Sequence, residues 1–309
     1  MLEAGNRLQR ARRKNGRNEA VSPAHPMTFL VALLLALFGF GEPLADAASA
    51  DAAVSVPIAD GSSSGPLPAV TPARGEDPPL VVIDPGHGGR DPGAPAADER
   101  LHEKDVTLAL GKSIREELAA SGRVRVALTR EDDRFIPLEE RYAIARRLGA
   151  DLFISLHADA APANDTARGA TIYTLSEVAS DARAAQLAQR ENEADAIGGV
   201  TMSRDPNVNL ILIDLALRES MEISARFAQL LHREASPIFR FQDNWHRFAA
   251  FVVLKAPDVP SVLFEAGYVS NREDLEALTS PAGRRDIARG LRQAVEAHFA
   301  RRFLTERPE

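Results

Sequence analysis

The sequence predicts an α/β domain: a mostly parallel central sheet flanked by helices, with an inserted helical segment. Two observations carry this prediction. From Leu80 onward, short apolar runs that read as buried strands alternate with stretches of helical periodicity. Between Ser176 and Leu231 that alternation is interrupted by a long, mostly helical stretch whose first part is charged and alanine-rich.

The elements follow in order. "LVVID" (80–84) reads as the first strand, and "DVTLALGKSIREELAAS" (105–121) sets Val106, Leu110, Ile114 and Leu118 on one helical stripe. "VRVALTR" is a second strand. "PLEERYAIARRLGA" is a helix with Pro137 near its first turn and Gly149 near its end. "DLFISLHAD" is a third strand, "GATIYTL" a fourth, "AFVVLK" a fifth and "PSVLFEAGYV" a sixth. The closing helix, "PAGRRDIARGLRQAVEAHFARRFL", repeats Ile287, Leu291, Val295 and Phe299 at helical spacing. The inserted segment spans about 176–231 and divides into "SEVASDARAAQLAQRENEADAIGGV" and "LILIDLALRESMEISARFAQLLHRE".

Ahead of the domain, residues 1–50 read as an N-terminal extension with a signal peptide, whose apolar core is "MTFLVALLLALFGFG" (27–41). The run is shorter than the roughly 20 apolar residues that a membrane span needs. It is followed by small residues from Ala45 to Ala50 that suit cleavage, and an uncleaved anchor is the alternative. Residues 1–26 carry a local charge of +4, fitting either a long basic leader or a frame whose start is Met27. Residues 51–79, rich in Pro, Gly, Ser and Ala, read as a flexible linker, and the folded domain is expected over 80–303.

The 309-residue chain has a net charge of −7, and its acidity after residue 26 argues against a nucleic-acid partner held on a basic face. It contains no cysteine, so neither disulfides nor thiolate ligands are available, and stability must come from the core, to which a bound metal can add.

Ligands of an open α/β sheet collect at the carboxyl ends of its strands. Three predicted strands end there in chemically competent residues: His87 in "VVIDPGHGG", His157 after "FISL" and Glu265 after "SVLF". Glu103 opens the helix after the first strand. Two histidines and one carboxylate form a set that catalytic zinc takes, leaving a position for water. Gly86, Gly88 and Gly89 allow a tight turn that presents His87. Glu265, at a partly buried strand end, suits proton transfer from a metal-activated water to a leaving nitrogen. The alternatives are a polar loop residue for His87, a hydrogen-bonded core histidine for His157 and a capping or solvent-facing carboxylate for Glu265. His102 competes with Glu103, but neighbouring helical positions diverge by about 100°, so only one of them can face the site. His25, His232, His246 and His298 read as structural or surface residues.

Taken together, "IDPGHGGRDPGA", "HEKDVTLAL", "FISLHADA" and "PSVLFEAGYVSN" resemble, in order, the four signature blocks of the zinc-dependent N-acetylmuramoyl-L-alanine amidases of the AmiA, AmiB and AmiC type. The resemblance implies that His87, Glu103 and His157 ligate one Zn2+ per chain and that Glu265 is the catalytic acid/base. Ala266 and Tyr268 depart from the family pattern beside Glu265. Division-associated members carry an "EN-x-AD" block that covers the zinc. "RENEADAIGG" matches it here and implies that Glu191 occupies the open position, on a helix held weakly by apolar contacts. A solvated helix face is the alternative for that block.

The implied function is hydrolysis of the amide between N-acetylmuramic acid and the L-alanine of the stem peptide during cell separation. The implied setting is a periplasmic monomer with no membrane span after signal cleavage, acting on peptidoglycan under a LytM-type activator. The rival readings are a zinc peptidase acting on another cell-wall bond and an inactive wall-binding regulator.

Overall fold

The computed structural model describes residues 65–305 apart from 99, 162, 163, 165 and 198–209, with backbone only at 210–213 and 301–305. The apolar run 27–41 and the linker up to residue 64 lie outside the described residues. Among the described residues no helix is long and apolar enough to cross a membrane.

Among the described residues, seven strands form one sheet: β1 (Val70–Thr71), β2 (Leu80–Pro85), β3 (Arg125–Leu128), β4 (Leu152–Asp159), β5 (Ala170–Leu175), β6 (Phe241–Ala249) and β7 (Ser261–Tyr268). Their order is β1-β3-β2-β4-β7-β5-β6. β3, β2, β4 and β7 run parallel, β5 runs antiparallel to β7, and β6 is parallel to β5. The helices are α1 (Glu103–Ser121), α2 (Leu138–Leu148), α3 (Ala182–Asn192), α4 (Ala194–Ile197), α5 (Leu210–Ala235), α6 (Arg272–Thr279) and α7 (Pro281–Thr305).

The central strands are apolar on both faces because helices cover both. Val81, Ile83, Ile154, Leu156 and Phe264 pack with α1, α5 and α7 through Leu110, Ile114, Phe227, Leu231, Leu291 and Val295. Leu80, Val82, Phe153, Tyr173 and Leu263 pack on the opposite side with Leu138, Leu187 and Phe251–Leu254. Neighbours along one strand thus enter different layers, which produces uninterrupted apolar runs in the sequence.

The fold departs from the sequence reading in four places. "AFVVLK" is no strand: Val252–Leu254 form a 3₁₀ turn inside the second core cluster. A short apolar run fits any buried segment. The strand lies just before it, in the half-exposed, polar "FQDNWHRFA" of β6 at the sheet edge. Helix α6 was not foreseen. Part of the expected linker is also ordered, since Val70 and Thr71 pair with Ala127 and Val126 as an antiparallel edge strand.

Finally, the 176–231 insertion splits. In α5, Phe227, Ala228, Leu231 and Ala235 are fully buried in the main core, so this part of the helix is structural. Leu231→Ala is therefore expected to cost about 2–5 kcal/mol in chemical denaturation. A loss below about 0.5 kcal/mol, typical of a surface change, would remove α5 from the core.

Candidate metal and catalytic centre

The site lies at the carboxyl ends of the parallel strands. His87 follows β2, while His157 in β4 and Glu265 in β7 are register partners. Glu103 is the first residue of α1, and α3 brings Glu191 from the insertion.

All five sequence-selected residues meet here. Glu103 lies between the imidazoles, with Oε2 3.1 Å from His87 Nε2 and Oε1 3.1 Å from His157 Nδ1. Glu191 Oε2 approaches the same two nitrogens, at 3.5 Å and 3.2 Å. His87, His157 and Glu191 each offer a ligand atom within 4.8 Å of the others. The competition between His102 and Glu103 is resolved by the helix start: His102 is the exposed N-cap of α1 and Glu103 is buried.

Each group is fixed from behind. His87 Nδ1 lies 2.9 Å from Asp91 Oδ2, which orients the ring and presents Nε2 to the site. Glu103 accepts the backbone N–H of Ala94 at Oε2 (2.8 Å) and of Ala158 at Oε1 (2.9 Å). Glu265 Oε2 accepts the Asp159 N–H at 2.8 Å. Below the turn, Arg141 Nη2 donates to the His87 carbonyl at 2.9 Å and Arg130 Nη2 donates to the Gly86 carbonyl at 2.8 Å. Both guanidiniums are buried. Asp84 neutralises Arg141 at 3.0 Å, while burial and the neighbouring Arg141 lower the Arg130 pKa to about 10.

Two of the glycines have specific reasons. A Cβ on Gly86 would stand 2.5 Å from His157 Cε1, so only glycine lets that imidazole lie against the turn. Gly88 turns with φ +123°, and a Cβ there would meet the Arg134 carbonyl at 2.2 Å.

The charges follow from the packing. Burial works against ionisation of Glu103, but His87 and His157 outweigh it and hold its carboxyl well below the usual range. Burial likewise opposes the imidazolium of His87, yet Glu103 and Glu191 hold its pKa well above the ordinary histidine value. Burial, joined by Asp159, Glu103 and Glu191, pushes Glu265 well above the usual carboxylate range. Glu191 is raised by burial and by Glu103, with the imidazoles opposing.

The donor set fits a divalent metal. His87 Nε2 is buried without a hydrogen-bond partner, facing two carboxylates and a second imidazole. That is the arrangement a bound cation satisfies.

Helix α3 is held over the site mainly by polar contacts, in contrast to the weak apolar attachment expected. Its buried side chains besides Glu191 are Ala184, Leu187 and Ala188. Asp181 caps the helix and pairs with Arg247 at 2.6 Å, and Arg183 lies on the Tyr268 ring. Arg190 Nη2 meets Asp159 Oδ1 at 2.6 Å. Asn192 donates to the Ala250 carbonyl and accepts from the Val252 N–H, and Asp195 accepts the N–H of Leu138 at the start of α2. The "ENEAD" block thus reaches the site, the 3₁₀ turn and a helix N-terminus in turn. Asp91, Arg130, Arg141, Asp159 and Arg190 were not singled out from the sequence. Asp91, four residues after His87, carried the clearest available signal.

Comparison with known proteins agrees with this architecture. The family described as Amidase_3, N-acetylmuramoyl-L-alanine amidase, matches residues 81–297. The chain is 36% identical over 241 residues to the N-acetylmuramoyl-L-alanine amidase AmiC of Escherichia coli O6:H1, covering 77% of this chain and 57% of that protein. It is 39% identical over 222 residues to AmiA of Salmonella typhimurium, covering 71% and 76%. The chain therefore spans little more than half the length of that AmiC. Among solved structures, the amidase AmiC2 of Nostoc punctiforme matches with a TM-score of 0.52 and 27% identity, covering 73% of this chain and 99% of that one. The fold, the ordered blocks and these relatives together show that the chain belongs to the N-acetylmuramoyl-L-alanine amidase family and to its AmiA/AmiB/AmiC type.

Proposed function

We propose that the protein is a zinc-dependent peptidoglycan hydrolase that cleaves the amide between N-acetylmuramic acid and the L-alanine of the stem peptide, and that α3 holds it closed at rest. One observation carries the reading: His87 Nε2 and Glu265 Oε1, both buried and without hydrogen-bond partners, belong to one cluster at the sheet's carboxyl edge. His87, Glu103 and His157 would hold the zinc, which when bound polarises a carbonyl and acidifies a water. Asp91 fixes the His87 tautomer by accepting from Nδ1, leaving the Nε2 lone pair for the metal. Glu265, tethered through Oε2, keeps Oε1 free to take a proton from the attacking water and pass it to the leaving nitrogen.

Glu191 closes the site because its carboxylate takes the place a substrate carbonyl or water needs, and the latches of α3 set the cost of withdrawing it. An activator of the LytM type would bias α3 outward by binding the open state more tightly. The basic residues before position 27 and the apolar run 27–41 support a periplasmic address, and the relatives' names as N-acetylmuramoyl-L-alanine amidases support the muramoyl–alanine amide as the bond cleaved; cell separation is the role proposed for that hydrolysis.

The test is release from purified sacculi, followed by mass analysis, in zinc and in chelator. Intact stem peptides freed only with zinc support the reading, and fragments cut within the peptide would replace it with a peptidase. Glu191→Lys sets a cation against the metal and is expected to raise basal release about tenfold for each 1.4 kcal/mol removed from closure. Unchanged release would exclude Glu191 as the block.

A further inference from the structure

Thr171 is 1% exposed, and its hydroxyl has no hydrogen-bond partner among the described residues. The other buried threonines among the described residues are satisfied. Thr107 donates to the Gly86 carbonyl at 2.9 Å, Thr129 to Asp84 at 2.6 Å, and Thr174 lies 3.1 Å from His246 Nε2. An unpaired buried hydroxyl is destabilising, so Thr171 is a poor choice if packing were its whole task.

Its position supplies a second reason. Thr171 is the direct antiparallel partner of Glu265, and Glu265 Oε1 is the other buried unpaired oxygen at this point of the sheet. Opposed residues of this kind have Cβ atoms about 5 Å apart on one face. The two orphaned oxygens therefore line the same wall, at the carboxyl ends of β4 and β7.

We infer that Thr171 Oγ1 and Glu265 Oε1 together seat the attacking water, with Thr171 as a positioning residue; this rests on the amidase reading. The water donates one hydrogen to each oxygen, which turns a lone pair toward the substrate carbonyl carbon. As the carbon–oxygen bond forms, the O–H bond to Glu265 breaks. Glu265 then carries that proton to the nitrogen as the amide bond cleaves. Thr171 keeps a neutral hydroxyl throughout.

The test compares Thr171→Val and Thr171→Ser, in the full chain and in the Glu191→Lys background. Valine keeps the shape and removes the hydroxyl, so kcat for stem-peptide release is expected to fall about 10–100-fold with KM little changed. Zinc content should be unchanged, and the melting temperature in chelator should be equal or higher. Serine should restore kcat to within about threefold of the parent, since it returns the hydroxyl. A valine variant within about twofold of the parent overturns the inference, as does a serine variant as impaired as valine.

A crystal structure of the zinc-loaded Glu191→Lys protein gives an independent reading. A solvent molecule about 3 Å from both oxygens supports the seat, and a direct Thr171–Glu265 bond without solvent overturns it. If the parent frees no stem peptides, the amidase assignment falls alone and the crystal structure still decides the role of Thr171.

Discussion

Glu265→Gln is expected to lower amide hydrolysis by about 10²–10⁴-fold while stabilising the chelator-treated protein. The catalytic loss follows because Gln cannot take up the proton that Glu265 Oε1 is left free to receive. The stability gain follows from linkage. Burial, with Asp159, Glu103 and Glu191 adding repulsion, raises the folded-state pKa of Glu265 well above its unfolded value. The folded protein therefore holds this proton more tightly than the unfolded chain does. The carboxyl's contribution to folding is fully present below the unfolded pKa and is lost as pH rises through the folded one. The variant's melting temperature should match the parent's near pH 4 and exceed it by a few degrees near pH 8. Thermal melts across that range check the sign. A variant that is less stable at the alkaline end would contradict the electrostatic account, and one that retains hydrolysis would remove Glu265 from the chemistry.

Zinc uptake near neutral pH should expel about one proton per chain. His87 is raised well above the ordinary histidine value by Glu103 and Glu191, so in the metal-free protein its ring is charged near neutrality. A metal needs the neutral ring, so binding must displace that proton. Affinity should drop about tenfold per pH unit below the His87 pKa. Calorimetry in buffers of different ionisation enthalpy reads the proton directly, and a binding heat independent of buffer would show that His87 is already neutral. His87→Ala should abolish hydrolysis, and chelation should do the same reversibly, with release restored by added zinc.

The four candidate metal and proton-transfer residues were legible because each stands at or near the boundary of a segment with strong local signal: His87 follows one apolar strand, His157 and Glu265 lie near the ends of two others, and Glu103 begins a periodic helix. Glu191 was legible only through its block, since a charged helix face has no periodicity that marks one carboxylate as buried. The supporting groups were silent for another reason. Arg141 reaches Asp84 across 57 residues and Arg130 reaches the Gly86 carbonyl across 44, and nothing local in "LTR" or "EER" announces a buried guanidinium. Edge strand β6 was missed because one flank faces solvent and its sequence reads as polar, whereas the 3₁₀ turn after it is apolar and buried.

The two rims of the sheet bear on how such a chain can fold without pairing to its neighbours. One rim is β1, only two residues long, so it offers almost no free ladder to another chain. The other is β6, which carries exposed Asp243 and Asn244 and slips register between its pairings with Ala170 and Ile172. Short, charged and irregular rims resist strand-by-strand association between molecules. A protein with no disulfide to lock its native state gains from this a guard against aggregation while its core is still assembling.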